Sequence, residues 1–180
     1  MRIIHRNGRK IRIRSISRND LNKVDKFLDF VNSLVDENAM IFMKYKKTFA
    51  EEKSWLWEKI KSVERSEEVA LIAEGENEIV GITSISSHTE TEDHVGELSI
   101  AIKDGYRGFG LGGELTKEIL KEAKERLKVT PKVVRLSVFS NNDPAIKLYE
   151  KMGFKVVAKI PKQIQYEGRL LDEVVMMKEL

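Results

Sequence analysis

The stretch with the most chemical content is Gly105-Tyr-Arg-Gly-Phe-Gly-Leu-Gly-Gly113, which packs five glycines into nine residues. It stands between an apolar β-like run and an amphipathic helical run. Glycines let backbone N–H groups turn inward and approach a bulky anion with no Cβ in the way. A helix N-terminus directly behind them adds its dipole. The combination is a cradle for a phosphate or pyrophosphate, since a tight strand-to-helix turn that binds nothing needs fewer glycines. Two familiar anion loops do not fit. Gly108-x-Gly110-x-x-Gly113 spells the dinucleotide fingerprint, but residues 103–107 separate it from its strand, and the next strand carries no acid to hold a ribose. The Gly-Lys-Ser/Thr of a Walker A loop is absent.

A better template is R-x-x-G-x-G, met by Arg107, Gly110 and Gly112. Thirty-five positions beyond Arg107 begins Asn142-Asp-Pro-Ala145-Ile-Lys-Leu-Tyr149-Glu-Lys-Met-Gly153-Phe154. With these two motifs in this order, each behind a strand, the sequence resembles the GNAT superfamily of acetyl-CoA-dependent N-acetyltransferases. The first motif resembles that family's pyrophosphate loop and the second its N-x-x-A-x-x-x-Y-x-x-x-G-F segment. The resemblance covers residues 69–180, while the first 65 residues match only in their strand-helix-helix plan.

The resemblance implies a set of roles. The strand before the loop offers backbone hydrogen bonds to the pantetheine arm, here from Ile100, Ala101 and Ile102. The pyrophosphate sits on the amides of Arg107, Gly108, Phe109, Gly110, Leu111 and Gly112, with Arg107 adding charge. Asn142 contacts the cofactor arm, although it could also serve only as a helix cap. The pair Asp143-Pro144 already suits an N-cap and first helical position. Tyr149 serves as general acid to the leaving thiolate and as a cofactor contact. It shares a helical stripe with Ala145, Leu148 and Met152, so a buried core tyrosine is the other reading. Glu97 is an acid within an apolar strand, and alternation puts it on one face with Ser99 and Ala101. Related enzymes use an acid on this strand as base, directly or through water. Burial there would raise its pKa toward a useful base, whereas a salt-bridged carboxylate is the competing reading. Relatives with a Glu on the strand before the Asn motif have their counterpart here in Ser137. Tyr166-Glu-Gly168 with Asp172 resembles a C-terminal hairpin that borders the acceptor site in many such proteins. His88 and His94 flank Glu90, Glu92 and Asp93, but the spacing fits no standard zinc site, and a solvated loop is expected over 88–93.

These side chains need elements to hold them. Residues 11–16 alternate apolar and basic, as a half-buried strand does. Ser17 can cap a helix bearing Leu21, Val24, Phe27, Leu28, Val31 and Leu34, and Thr48-x-x-Glu51 has the form of a capping box before Leu56, Ile60 and Val63. Residues 38–47, rich in Met, Phe and Lys, follow neither period. Residues 69–74 and 79–86 form a hairpin about Gly75-Glu-Asn77, and residues 95–102 form the next strand. A helix with Leu115, Ile119, Ala123 and Leu127 on one stripe follows. Then come a strand at 133–139, a short helix at 144–152 ended by Gly153, and strands at 154–160 and 173–177. Strand-helix-strand order in this half implies locally parallel pairing.

Composition bounds the rest. The 180 residues suit one domain, 1–180, with the cofactor motifs within 95–154. A net charge of +3 argues against a general nucleic-acid or membrane binder. No apolar run reaches a membrane span, and the basic N-terminus lacks the apolar run of a secretory signal. The absence of Cys removes disulfides, thiolate zinc sites and a covalent acetyl-cysteine route, and fits a cytoplasmic protein. The expectation is therefore a single GNAT-like α/β domain. Its mixed sheet has about seven strands flanked by about four helices and is splayed in the middle for acetyl-CoA as co-substrate, with no metal. The implied activity is direct acetyl transfer to a primary amine, either a small amine or amino acid or a protein N-terminus or lysine. A homodimer is open to it. The alternative is an acyl-CoA-binding sensor that has lost catalysis.

Overall fold

A computed structural model of the chain describes residues 1–88 and 90–180; Thr89, in the loop expected over 88–93, lies outside the described residues. The elements run β1 (Arg2–Arg6), β2 (Arg9–Ser15), α1 (Val24–Asp36), α2 (Phe49–Glu64), β3 (Glu68–Gly75), β4 (Glu78–Ser87) and β5 (Val95–Ile102). They continue with α3 (Leu111–Arg126), β6 (Val133–Phe139), α4 (Asp143–Lys151), β7 (Lys155–Tyr166) and β8 (Arg169–Glu179). Short 3-10 turns at Arg18–Lys23 and Glu90–Glu92 complete the chain. The eight strands share one sheet, ordered β1-β2-β3-β4-β5-β6-β8-β7.

The strand beyond the seven expected is β1. It pairs with β2 across Asn7-Gly8, and both turn residues sit at positive φ (48° and 72°). That is the two-residue hairpin geometry Asn-Gly favours, because its twist matches that of the strands. Glu76-Asn77 does the same between β3 and β4, and Glu167-Gly168 between β7 and β8. Ser17 caps the 3-10 turn, and α1 begins only at Val24. The capping box before α2 is formed, with the Thr48 N–H donating to Glu51 Oε2 at 2.8 Å.

All neighbouring strands are antiparallel except β5 and β6, which are joined through α3. The second strand-helix-strand unit leaves no parallel pair. The hairpin partner β8 inserts between β6 and β7 and runs antiparallel to both. β7 runs past Pro161 to Tyr166, with irregular register between Ile160 and Ile164. A proline is tolerated there because β7 is an edge strand and needs no outward donor.

Each face of the sheet buries one apolar cluster. The α3 stripe of Leu115, Ile119, Ala123 and Leu127 packs with Leu136, Val138, Tyr149 and Phe154 on one side. Phe27, Phe30, Leu34, Leu56 and Ile60 from α1 and α2 cover the other. Fully burying side chains of this size stabilises by about 1.5–3 kcal/mol each. Glu52, on the buried face of α2, is 3% exposed, and burial pushes its carboxyl up to about 7. Among the described residues, no helix is long and apolar enough to cross a membrane.

Candidate active site

The parallel ladder between β5 and β6 is short. It pairs Val95, Gly96 and Glu97 with Val133, Val134 and Arg135 and then stops. Both strands continue, β5 to Ile102 and β6 to Phe139, so the sheet opens past Glu97. The opening exposes backbone on β5. The Lys103 N–H donates to the Val80 carbonyl on the β4 side (3.0 Å). Strand alternation then turns the N–H groups of Ile102 and Ile100 toward the splay. Ala101, between them, offers its backbone to β4 instead, so only two of the three expected residues present donors to the opening.

At the end of β5 the glycine loop turns into α3. Gly105, Gly108 and Gly110 all have positive φ (75°, 78° and 83°). Gly110 is the N-cap of α3, and no side chain caps the helix. The first N–H groups of α3 lack intrahelical partners, so they remain available to an anion. At Gly112 a Cβ would lie 2.9 Å from Leu148 Cδ2, so a side chain there would have to push that methyl of α4 aside. These features fit a pyrophosphate followed by an extended arm along β5. Arg107 is placed differently from the expectation of a free charge. Its guanidinium donates to the Ile102 carbonyl (2.7 Å) and pairs with Glu37 at the end of α1. Glu37 also accepts the Asp104 N–H. Two cations unforeseen in the sequence reach the loop from the β1–β2 hairpin. Arg9 donates to the Gly105 carbonyl (2.9 Å), and Arg6 Nε lies 3.6 Å from the Cβ position of Gly110 while its guanidinium pairs with Glu114. The Asn7-Gly8 turn was the sequence signal for this hairpin.

Asn142 is the N-cap of α4, its Oδ1 accepting the Ala145 N–H at 3.3 Å, with Asp143 and Pro144 already inside the helix. The cap therefore starts one residue earlier than the Asp143-Pro144 pair suggested. Capping occupies only the oxygen; among the described residues Nδ2 has no hydrogen-bond partner and remains a donor. Tyr149 is buried on the α3/α4 side, edge-on to Phe154 at 5.9 Å. Burial pushes its phenol up to about 12. Its hydroxyl makes no hydrogen bond with any described residue.

Glu97 faces the other side of the splay and is not enclosed by apolar neighbours. Its side chain is 31% exposed, and Arg135 of β6 donates to it at 2.8 Å. That hydrogen bond raises the pKa of Arg135 above its ordinary value. The reason is register, which sets Glu97 directly beside Arg135. His88, expected in a solvated loop, sits with its Nε2 3.6 Å from Glu97 and 3.4 Å from Arg135 Nη2. It follows β4 on the face that Ser86 shares with Glu97. Among the described residues no group of His, Asp and Glu is placed to hold a metal ion.

Below Glu97 opens a cleft of about 920 Å³. Its floor is Ser137 and Phe139 of β6 with Glu173 of β8. Residues of the 38–44 loop and of the β7–β8 hairpin form its walls. The loop is fixed although it has no regular structure, since Asn32 holds Lys47 through both its amide groups (3.0 and 2.7 Å). Phe42 and Tyr166 meet Phe139 edge-on at 5.1 and 5.4 Å, and the Tyr166 hydroxyl donates to the Asn38 carbonyl. The hairpin that resembled an acceptor-site border thus forms part of the cleft wall.

The site thus combines a splayed α/β sheet, an uncapped glycine loop at one end of the splay and a cleft behind it. Residues 32–154 match the Acetyltransferase (GNAT) family, and the chain belongs to it. It is 27% identical over 109 residues to the L-amino acid N-acetyltransferase AaaT of Escherichia coli, covering 60% of this chain and 66% of that one. It is 37% identical over 81 residues to a Bacillus subtilis spermine/spermidine N(1)-acetyltransferase, 44% of this chain and 45% of the relative. The chain thus spans at most about two thirds of the length of these two relatives. A ribosomal-protein-alanine N-acetyltransferase structure from Brucella melitensis superposes with a TM-score of 0.78 at 27% identity, covering 94% of this chain and 99% of the other.

Proposed function

We propose that the chain is an acetyl-CoA-dependent N-acetyltransferase that acts on a primary amine in a ternary complex. The observation that supports this most is the splay. It gives one opening in which unpaired β5 amides and the uncapped α3 end stand on the donor side and Glu97 with the cleft on the acceptor side. The relatives' names, which concern amino acids, polyamines and a protein alanine, agree with an amine acceptor.

Acetyl-CoA supplies the acetyl thioester, whose C–S bond breaks as the C–N bond forms. The α3 N-terminus and the loop amides of Arg107–Gly112 hold the pyrophosphate, with Arg6 and Arg9 adding charge at the rim. Ile100 and Ile102 align the arm through their N–H groups. One of these, Ile102, polarises the thioester carbonyl as a fixed dipole. Asn142 Nδ2 donates to the arm. Glu97, directly or through a water, takes a proton from the acceptor ammonium, and His88 offers an exit to solvent. Tyr149 donates a hydrogen bond to the departing sulfur. Of the two protons the ammonium sheds, one ends on sulfur and the other leaves to solvent.

The test is calorimetric binding of acetyl-CoA together with thiol release in the presence of amines, polyamines, amino acids and peptides. The chain has no Cys, so released thiol is read without protein background. Acceptor-dependent release that falls at least tenfold in Glu97→Gln is expected. Tight binding with no acceptor-dependent release points to the sensor instead, and absence of binding overturns both.

A further inference from the structure

The acceptor cleft carries information on what it takes, and this inference rests on the transferase reading above. Its lining is unequal in charge. Glu97, Glu167 and Glu173 supply three carboxylates, and Lys44 supplies one ammonium. Lys44 is exposed at the rim and directed over the ring of Tyr45, 5.7 Å from its centroid. Arg135 of β6, beside Glu97, is taken by Glu97 and His88 and does not line the cleft. Glu173 is different from Glu97. Its carboxylate has no hydrogen bond or ion pair with any described residue, and it stands opposite Phe139 in the β6–β8 register.

The uncharged lining mixes Asn38, Ser137, Gln163 and Gln165 with apolar side chains. Phe42, itself largely exposed, joins Phe139 and Tyr166 in an edge-to-face cluster, and Leu34 and Ile164 also line the cleft. A ligand here meets aromatic faces for its body and, for its cation, two carboxylates unpaired among the described residues, half-buried Glu173 and exposed Glu167. A free α-amino acid would bring a carboxylate next to its ammonium. That anion would be desolvated among like charges with no guanidinium to receive it, a penalty that works against binding. A polyamine would have to bury further ammonium groups against the aromatic cluster. We propose that the acceptor is a primary amine on an apolar body with no adjacent carboxylate, steered by Glu173 and seated on Phe42, Phe139 and Tyr166. A small aromatic monoamine and a polypeptide N-terminus with an apolar first residue both carry this chemistry.

The experiment compares phenylalanine amide, phenethylamine, phenylalanine, spermidine and a hexapeptide beginning with Phe. Two readouts are taken: kcat/KM by thiol release, and acceptor Kd by calorimetry with CoA present. Phenylalanine amide and phenethylamine are expected to exceed phenylalanine and spermidine at least tenfold in both. Phenylalanine or spermidine matching them overturns the proposal. The peptide exceeding the amide identifies a polypeptide N-terminus as the source, and the reverse a small amine. Glu173→Gln is expected to raise KM for phenylalanine amide about tenfold while leaving the Kd of acetyl-CoA unchanged, and an unchanged KM refutes the steering role. Should the Kd ranking hold without any thiol release, the transferase reading fails and this assignment of ligand chemistry stands.

Discussion

Replacing Tyr149 by Phe isolates the hydroxyl. The ring stays edge-on to Phe154, and because the hydroxyl has no partner among the described residues, its removal leaves no orphaned polar group. Stability should therefore change by less than ~0.5 kcal/mol. The effect on chemistry follows from the pKa. Burial has raised the phenol from 10.0 to about 12, while a thiolate of roughly ordinary basicity has a pKa of about 8.5. Full proton transfer is then uphill by roughly 3–4 units, so the hydroxyl acts chiefly by hydrogen-bonding the sulfur as charge develops on it. A hydrogen bond to an ionised acceptor is worth about 1.5–3 kcal/mol, or roughly 10- to 150-fold in kcat at about 1.4 kcal/mol per tenfold. The assay is thiol release under saturating donor, with donor Kd by calorimetry. The pH profile adds a second arm. A phenol at 10.0 would be half ionised at pH 10, whereas one at about 12 stays about 99% protonated there. No alkaline loss below pH 10 is therefore assigned to Tyr149, and the substitution should scale the profile without reshaping it. An unchanged kcat, or a loss that appears in donor Kd, would refute this role.

Two further outcomes follow from charge placement. Glu52 has a folded-state pKa above its unfolded one, so its contribution to stability is present below pH 4.5 and is lost as pH rises through about 7. At about 1.36 kcal/mol per unit, the shift is worth roughly 3 kcal/mol. Glu52→Gln should therefore stabilise the fold by about that much at pH 8 and hardly at all at pH 4 in urea unfolding; an equal gain at both would contradict the sign. Replacing Arg6 and Arg9 together by Gln should raise the Kd of acetyl-CoA roughly fivefold at low salt, with less effect at high salt, since exposed charges near phosphate are screened. A salt-independent change would mean that the hairpin acts by shape.

Local patterns were legible where local physics decides. β5 and β6 fall where apolar runs placed them, and the α3 stripe is wholly buried. β1 is short and basic, so its apolar content gave little signal and only Asn7-Gly8 marked it. Pro161 concealed the second half of β7 because a proline reads as a strand end unless the strand is known to be an edge. Sheet order is a long-range property, and most of what was illegible in the site depends on it. That Arg135 lies beside Glu97 follows from the parallel register of two strands joined by α3, and neither strand's own pattern carries it. The Glu37–Arg107 pair, which joins the end of α1 to the loop, has the same origin.

The matched family region, residues 32–154, holds the splay, the loop and Tyr149. Much of what distinguishes the two ends of the site lies outside it. The β1–β2 hairpin precedes the region and brings Arg6 and Arg9 to the loop; the β7–β8 hairpin follows it and brings Tyr166 and Glu173 to the cleft. Residues 37 and 38 link the ends, because Glu37 binds Arg107 and the Asp104 N–H while the next carbonyl, that of Asn38, receives the Tyr166 hydroxyl. The loop and the wall of the cleft thus share one brace of two adjacent residues, and filling one end is expected to bear on affinity at the other. Glu37→Gln weakens that link at its loop end, so filling of one end should then bear less on affinity at the other. Acceptor Kd measured with and without CoA gives the coupling directly, as the ratio of the two. In the wild type this ratio should exceed that of the variant. Equal ratios would leave Glu37 as a local brace for Arg107 and nothing more.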